Sequence, residues 1–468
     1  PHILSLMLRA SITLLALAAS LTAQVSMTHL GTVDCTSTGV AANSQFIGTN
    51  LSAMAWNGTD LFVAGFNNQA IAGATGICKV STALTTPSFS ASFGVNLLTP
   101  GSRGYSGLDV DGTQLVAAYD AGATDPNGIT SWSLTGTANW AKAARGGSGV
   151  GLDVGWFGLV DSGTAWTTFG SGRRSLQDNL TGTDIYTSAN GMIIQTTGVT
   201  SSFWRDMAFD PLTGDVWLRR SNKVVACDRT AGNSVSNSRI VVDATAADSI
   251  NQQNLAFCRT GTENVIFWNN RSAGAFGQLW TNVIQCNRAS DGSPMTIDWR
   301  GFTAANSAGA YDFSFDEATN TLAVSDFVNK VVHVFAVSTY TNYGTACVGA
   351  GNFPLLLGGS GDLRVGGPLT YTLSQAAPFS LGGFAFGAAR DNTPLPFPGG
   401  CLLHVNPLLF TEGIFFTGVL GNGSGLGTLT FTIPAGLTGQ TLTAQGFCLE
   451  NGDLNQLKTS NGVEVLFQ

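Results

Sequence analysis

The chain has 468 residues, 44% of them hydrophobic and 11% charged, with a formal net charge of −8. That length exceeds one ordinary domain, and so apolar and aromatic a composition excludes a disordered chain. Twenty-one basic residues stand against 29 acidic ones, and the adjacent basic pairs are only Arg173-Arg174 and Arg219-Arg220. Such a balance excludes the basic patch of a nucleic-acid or anionic-membrane binder.

The N-terminal stretch LMLRASITLLALAASLTAQV carries Arg9, an apolar run from Ile12 to Leu21, and small residues ending at Ala23. It predicts a secretory signal over residues 1–23, too short for the roughly 18–20 apolar residues of a membrane span. No other transmembrane segment is predicted. Next comes SMTHLGTVDC (Ser26–Cys35), a strand that precedes the first repeat and is placed to supply an outer strand to the last one.

Six segments then share one pattern of an apolar run, a polar turn and a second apolar run. They are MAWNGTDLFVAG (Met54–Gly65), LDVDGTQLVAAY (Leu108–Tyr119), GLVDSGTAWTTF (Gly158–Phe169), MAFDPLTGDVWL (Met207–Leu218), LAFCRTGTENVIFW (Leu255–Trp268) and FSFDEATNTLAVSD (Phe313–Asp326). The residues opening the second runs are Leu61, Leu115, Ala165, Val216, Val265 and Leu322, spaced by 54, 50, 51, 49 and 57 residues. A third run follows in most copies. Short antiparallel strands repeated at this period predict a β-propeller, in which each small sheet buries its faces against its neighbours. Six blades are counted, and a seventh is admitted if Asn190–Ser202 or the N-terminal strand belongs to a divergent one.

After Ser338–Cys347 the composition changes to short alternating runs broken by Gly and Pro, ending in VEVLFQ. This predicts a small C-terminal β-sandwich over residues 344–468, behind a propeller over 24–343. The expected fold class is therefore all-β, a six- or seven-bladed propeller followed by a sandwich.

Little catalytic chemistry is visible. The histidines are His2, His29, His333 and His404, and none stands beside a recognisable nucleophile. Glu263 and Glu317, the only propeller glutamates, fall in repeat turns. GGSGVG (Gly146–Gly151) and GNGSGLG (Gly421–Gly427) precede no helix and read as turns. DVDG (Asp109–Gly112) lacks the other ligands of a calcium loop and reads as the hairpin of its repeat. One constellation stands out. The residues before the first runs are Ala53, Gly107, Phe157, Asp206, Asn254 and Asp312. In a propeller the first strand of each blade lines the central channel, so Asp206, Asn254 and Asp312, with Trp204 and Arg205 nearby, are the candidate ligand or metal site. Calcium is the hard cation that such oxygen ligands suit, although no cofactor is firmly implied. The competing reading is a polar, hydrated channel lining.

The repeats resemble propeller families whose blades carry F-D-x-x-x-x-x-L-x-V-x-D, such as the NHL and gluconolactonase-like propellers, over roughly Ser26 to Val337. The resemblance implies fold far more than function. Gluconolactonase-like enzymes hold a divalent metal with an early-blade Glu, and the first four repeats have none. The C-terminal piece is similar to a domain of secreted proteins of planctomycete-type bacteria. Its marks are Tyr343, Gly344 and Cys347, then Pro396, Pro398, Gly399, Gly400 and Cys401, and a Ser-Asn-Gly-Val-Glu-Val ending. That resemblance implies an attachment, export or assembly module, and makes Cys347–Cys401 the expected disulfide among eight cysteines. Aligning the third runs puts Cys78, Trp132, Cys227, Cys286 and Phe335 at one position, which reads as an apolar site holding buried thiols.

The functional expectation is a secreted or cell-surface, non-catalytic binding or structural protein, partnered by an extracellular glycan or a surface protein. The alternative is an extracellular polysaccharide hydrolase or lyase working at the channel mouth around Asp206 and Asp312.

Overall fold

The computed structural model describes residues 24–35, 50–66, 76–93, 104–110, 113–120, 128–143, 150–153, 164–168, 173–178, 181–186, 192–193, 206–210, 215–220, 223–230, 234–243, 254–259, 264–269, 283–303, 309–349, 354–396, 400–416, 425–450 and 456–467. The expected signal, most of Asn190–Ser202, and the candidate residues Phe157, Trp204 and Arg205 lie outside them. Among the described residues no helix is long and apolar enough to cross a membrane.

The molecule is built almost wholly of strands. Strand β1 (Gln24–Asp34) comes first. A four-stranded antiparallel meander then recurs. The first is β2 (Asn50–Trp56), β3 (Leu61–Phe66), β4 (Ile77–Ser81) and β5 (Ser88–Phe93). The second is β6 (Gly104–Val110), β7 (Gln114–Asp120), β8 (Gly128–Ser133) and β9 (Ala138–Ala143). In the third, β10 (Val150–Asp153), β11 (Thr164–Thr168), β12 (Arg173–Asp178) and β13 (Asp184–Tyr186) pair in order, and β14 (Met192–Ile193) also joins β12. The fourth is β15 (Asp206–Phe209), β16 (Val216–Arg220), β17 (Lys223–Thr230) and β18 (Ser234–Asp243). The fifth is β19 (Leu255–Arg259), β20 (Asn264–Asn269), β21 (Ile284–Arg288) and β22 (Pro294–Asp298). The last runs β23 (Ala310–Asp316), β24 (Thr321–Asp326), β25 (Val331–Tyr343). Its fourth strand is β1, paired antiparallel to β25 from Gln24↔Tyr340 to Asp34↔Val331.

Among the described residues the first strands of these meanders pack successively, β2 on β6, β6 on β10, β10 on β15, β15 on β19 and β19 on β23, and β23 returns to β2. This closed ring of small sheets is a β-propeller, sealed where the first strand of the chain joins the last meander. At its outer end β1 also runs parallel to β22 over Gln24–Ser26, tying the fifth and sixth sheets together.

The burial pattern explains why the repeat reads as it does. Inner strands have a neighbouring sheet on each face, so both faces are buried, as every residue of β24 is, its apolar Leu322–Val324 and its polar Thr321, Ser325 and Asp326 alike. Outer strands keep the period-two alternation, as in β9. The turns use local acceptors. The Asp316 carboxylate takes the Thr319 N–H at 2.9 Å, and Asp326 takes those of Val328 and Asn329 at 3.0 and 2.8 Å. Gly58 in the first repeat's turn has φ +83°, and a Cβ there would meet Asp316 Oδ2 at 2.5 Å.

Strand β25 does not stop at the propeller. Thr341–Tyr343 pair with Glu464–Gly462 of β32 (Leu457–Leu466). That strand belongs to a sheet with β31 (Thr441–Leu449), β28 (Leu381–Pro396) and β29 (Leu402–Phe415). A second sheet, β26 (Leu356–Gly361), β27 (Pro368–Ala376) and β30 (Gly425–Thr432), faces it. One core joins the two layers, with Leu357, Leu369, Tyr371 and Leu373 against Phe384, Phe386, Ala444, Val463 and Val465. The closing Val-Glu-Val-Leu-Phe is therefore strand and core.

Cys347 and Cys401 form the expected disulfide, with Cα atoms 5.6 Å apart. Cys78, Cys227 and Cys286 are buried free thiols, as are Cys35, Cys258 and Cys448. The common position assigned to the third runs needs correction. Trp132, Cys227 and Phe335 do lie opposite the residues opening the second runs, Leu115, Val216 and Leu322. Cys78 and Cys286 instead face Val63 and Phe267, two residues further on. The period-two pleat keeps all five on the same face of their sheets, so the burial follows although the alignment slips by one pair.

Candidate functional site

The inner ring positions three of the predicted residues. Asp206 opens β15 opposite Arg219, Asn254 directly precedes β19, and Asp312 lies in β23 where the register with β24 shifts. Asn254 and Asp312 are buried and bonded to one another, Asn254 Nδ2 donating to Asp312 Oδ1 at 2.9 Å. Asp206 is half-buried.

The two carboxylates do the same job on different seams. Asp206 Oδ2 accepts the Leu255 N–H of the next meander at 2.8 Å, and its Oδ1 accepts the Met207 N–H at 2.9 Å. Asp312 Oδ2 accepts the Met54 N–H, again of the next meander, at 2.8 Å. Its Oδ1 also takes the Phe313 N–H at 3.0 Å, while its own N–H donates to Ser325 Oγ at 2.9 Å. A first strand has a partner strand on one side only, so its inward amides need acceptors, and these carboxylates provide them. At Asn254 and Asp312 the polar channel lining consists of buried cross-links between repeats.

Sequence reasoning missed the residues that complete this network. Asn269 is fully buried and accepts the Asn254 N–H at 3.3 Å through its side-chain oxygen. Its amide donates to the Ala310 and Tyr311 carbonyls at 3.2 and 3.3 Å. The Asn269 carbonyl accepts from Arg219 Nη2 at 3.0 Å, and the buried Arg219 guanidinium lies 4.6 Å from the Trp268 ring. Hydrogen bonds thus lead from Arg219 in the fourth meander through Asn269, Asn254 and Asp312 to Met54 in the first. Neither Asn269 nor Arg219 precedes a first run, so the position rule could not find them. A polar residue ending an otherwise apolar second run is the signal they carry.

Asp109 enters the expected β6–β7 hairpin from within β6, opposite Val116, with its Oδ1 accepting the Val110 N–H at 2.9 Å. Its charge reaches both channel acids. Burial pushes Asp312 up to about 7 against three donated hydrogen bonds that favour the ionised form, and Asp109 adds to the rise. Burial likewise raises Asp206 well above the usual carboxylate range, with Asp312 next in effect, while the Leu255 and Met207 amides oppose it. Arg219 is pulled down by burial and held up by Asp206. Among the described residues no group of three or more His, Cys, Asp or Glu side chains is placed to hold a metal ion.

No known family profile matches the chain, and no curated protein matches it. Solved structures that it is similar to include the β-propeller domain of Swd1 from Myceliophteria thermophila, at 10% identity and a TM-score of 0.35, covering 61% of this chain and 83% of that one. A functionally unknown protein from Desulfotomaculum acetoxidans matches at 13% identity and a TM-score of 0.37, covering 62% and 83%. PorZ, a bacterial surface component of the type-IX secretion system of Porphyromonas gingivalis, matches at 10% and 0.34, covering 73% and 43%. Likenesses this distant carry no functional argument.

Proposed function

We propose that this chain is a secreted or cell-surface, non-catalytic binding or structural protein, a six-bladed propeller with a C-terminal β-sandwich that serves attachment or assembly. The observation carrying this reading is the use of the channel acids. Each of Asp206 and Asp312 spends one oxygen on the backbone amide of the adjacent blade and the other on local or side-chain donors. Acids so committed hold the ring together. The Cys347–Cys401 disulfide supports an oxidising compartment. The attachment role is supported by apolar side chains left exposed on the sandwich, among them Leu395, Leu408, Leu409 and Phe410. An apolar cavity of about 250 Å³, lined by Leu403, Leu408, Phe447, Leu449 and Leu457, adjoins them.

The second reading is a hydrolase or lyase acting on an extracellular polysaccharide. It is favoured by the burial of the channel acids, which raises Asp206 and pushes Asp312 up to about 7, since a carboxyl poised near neutrality, as Asp312 is, suits a general acid. The test is thermal unfolding against a panel of polysaccharides, with calcium and with EDTA, alongside a reducing-sugar assay. Stabilisation by a glycan without turnover supports the binding reading. Turnover lost in Asp206→Asn or Asp312→Asn with the fold retained would replace it with the enzyme. A calcium-dependent shift abolished by Asp312→Asn would assign a metal to the channel.

A further inference from the structure

A second cluster lies away from the channel, at the outer rim where the ring is sealed. His29 of β1 and His333 of β25 come from opposite ends of the propeller sequence, and the hydroxyl of Thr32 sits between them. His29 Nε2 is 3.1 Å from Thr32 Oγ1, and His333 Nδ1 is 2.8 Å from the same oxygen. The two rings are 5.6 Å apart.

A β-bulge makes this arrangement. In a regular strand His29 and Thr32 would point to opposite faces, three residues being an odd step. The register between β1 and β25 shifts between His29 and Gly31, so that His29 lies opposite Phe335 and Thr32 opposite His333. The extra residue re-aims the strand and gathers His29, Thr32, His333 and Phe335 on one face. Aromatic rings then restrict both imidazoles. Phe302 stands 4.7 Å from His29 and 5.1 Å from His333, and Phe335 is 5.4 Å from His29.

We propose that His29 and His333 form a site for a borderline divalent transition ion such as Zn²⁺, Ni²⁺ or Cu²⁺. The ion takes one nitrogen from each ring beside the Thr32 hydroxyl, and solvent completes its shell. Imidazole suits these ions, whereas calcium prefers oxygen ligands. His29 is exposed, which leaves the site open to ions from solution. The bound ion would clip the first strand of the propeller to the last repeat, a cross-link across 304 positions that reinforces ring closure.

The test uses the full chain and Zn²⁺ or Ni²⁺ alone, with Ca²⁺ as control. Calorimetric titration is expected to give one ion per chain, with a rise in unfolding temperature that EDTA reverses and Ca²⁺ does not produce. Binding should weaken by at least about tenfold in His29→Gln and in His333→Gln. His29→Gln is at an exposed position and keeps the fold, which circular dichroism verifies. No binding by the wild type overturns the proposal, and so does binding that both variants retain, which would place the ion elsewhere.

Discussion

The backbone amide of Met54 donates to the carboxylate of Asp312 at 2.8 Å, across 258 positions of sequence. The same seam is fixed twice more, by Trp56 N–H on Ser314 Oγ at 2.9 Å and by Trp56 Nε1 on Thr321 Oγ1 at 2.7 Å. First and last repeats are therefore joined by directed bonds as well as by apolar packing, and the Asp206–Leu255 contact repeats the device two seams away.

Trp56 is the side chain on which this seam most depends. It is fully buried in a core with Leu61, Val63 and Val332. Trp56→Ala should cost about 3–5 kcal/mol, as large aromatic truncations do. Trp56→Phe should cost less but still more than 1 kcal/mol, because Thr321 Oγ1 loses its donor. Urea unfolding followed by the remaining tryptophans measures both.

Asn269 gives a sharper test of the polar network. Removing its side chain leaves the Asn254 amide and the Ala310 and Tyr311 carbonyls without these partners. Asn269→Ala is expected to destabilise the protein by about 1–3 kcal/mol. A loss below about 0.5 kcal/mol in urea would show that the network is dispensable.

The channel acids predict an unusual pH dependence. Asp312 is pushed up to about 7 by burial, so between roughly pH 4 and 7 the folded protein holds a proton that the unfolded chain has released. The stability this group contributes is complete below pH 4 and is lost as pH rises through about 7, the opposite of a salt-bridged aspartate. Wild type should therefore lose stability relative to Asp312→Asn from pH 4 to 8. Denaturation curves of both proteins across that range read the difference directly, and a constant gap would refute the burial account.

The cysteines separate into two classes. The six free thiols are all buried, and burial pushes Cys35 up to about 12. A thiol reagent should find no fast-reacting group in the native protein and six after denaturation without reductant. Opening Cys347–Cys401, which spans 54 residues, by double substitution to Ser should cost about 2–5 kcal/mol in the C-terminal unit.

Much of the architecture was legible because a propeller repeats itself. The apolar run of β24 and the turn at Asp316–Thr319 announce a blade, and the position before each first run led to Asp206, Asn254 and Asp312. What those residues do was not legible. Whether a carboxylate meets solvent or a neighbouring amide depends on seams between strands far apart in sequence, as Asp312 and Met54 show. Arg219 looked like half of a small basic pair, yet folding buries it beside Asn269 and Trp268. The His29 cluster was hidden by the bulge, since simple alternation puts His29 and Thr32 on opposite faces.

The order in which the chain is made gives the pairing of β1 with β25 a further consequence. Gln24 leaves the ribosome more than 300 positions ahead of its partner Tyr340. At about 5–20 residues per second the intervening chain takes roughly 15–60 s to synthesise. Throughout that interval the growing ring has no seal, and Val25 and Met27, which finish fully buried, have no final core to enter. The ring can close only after Tyr340 has been made, and until then its first and last repeats stay unjoined.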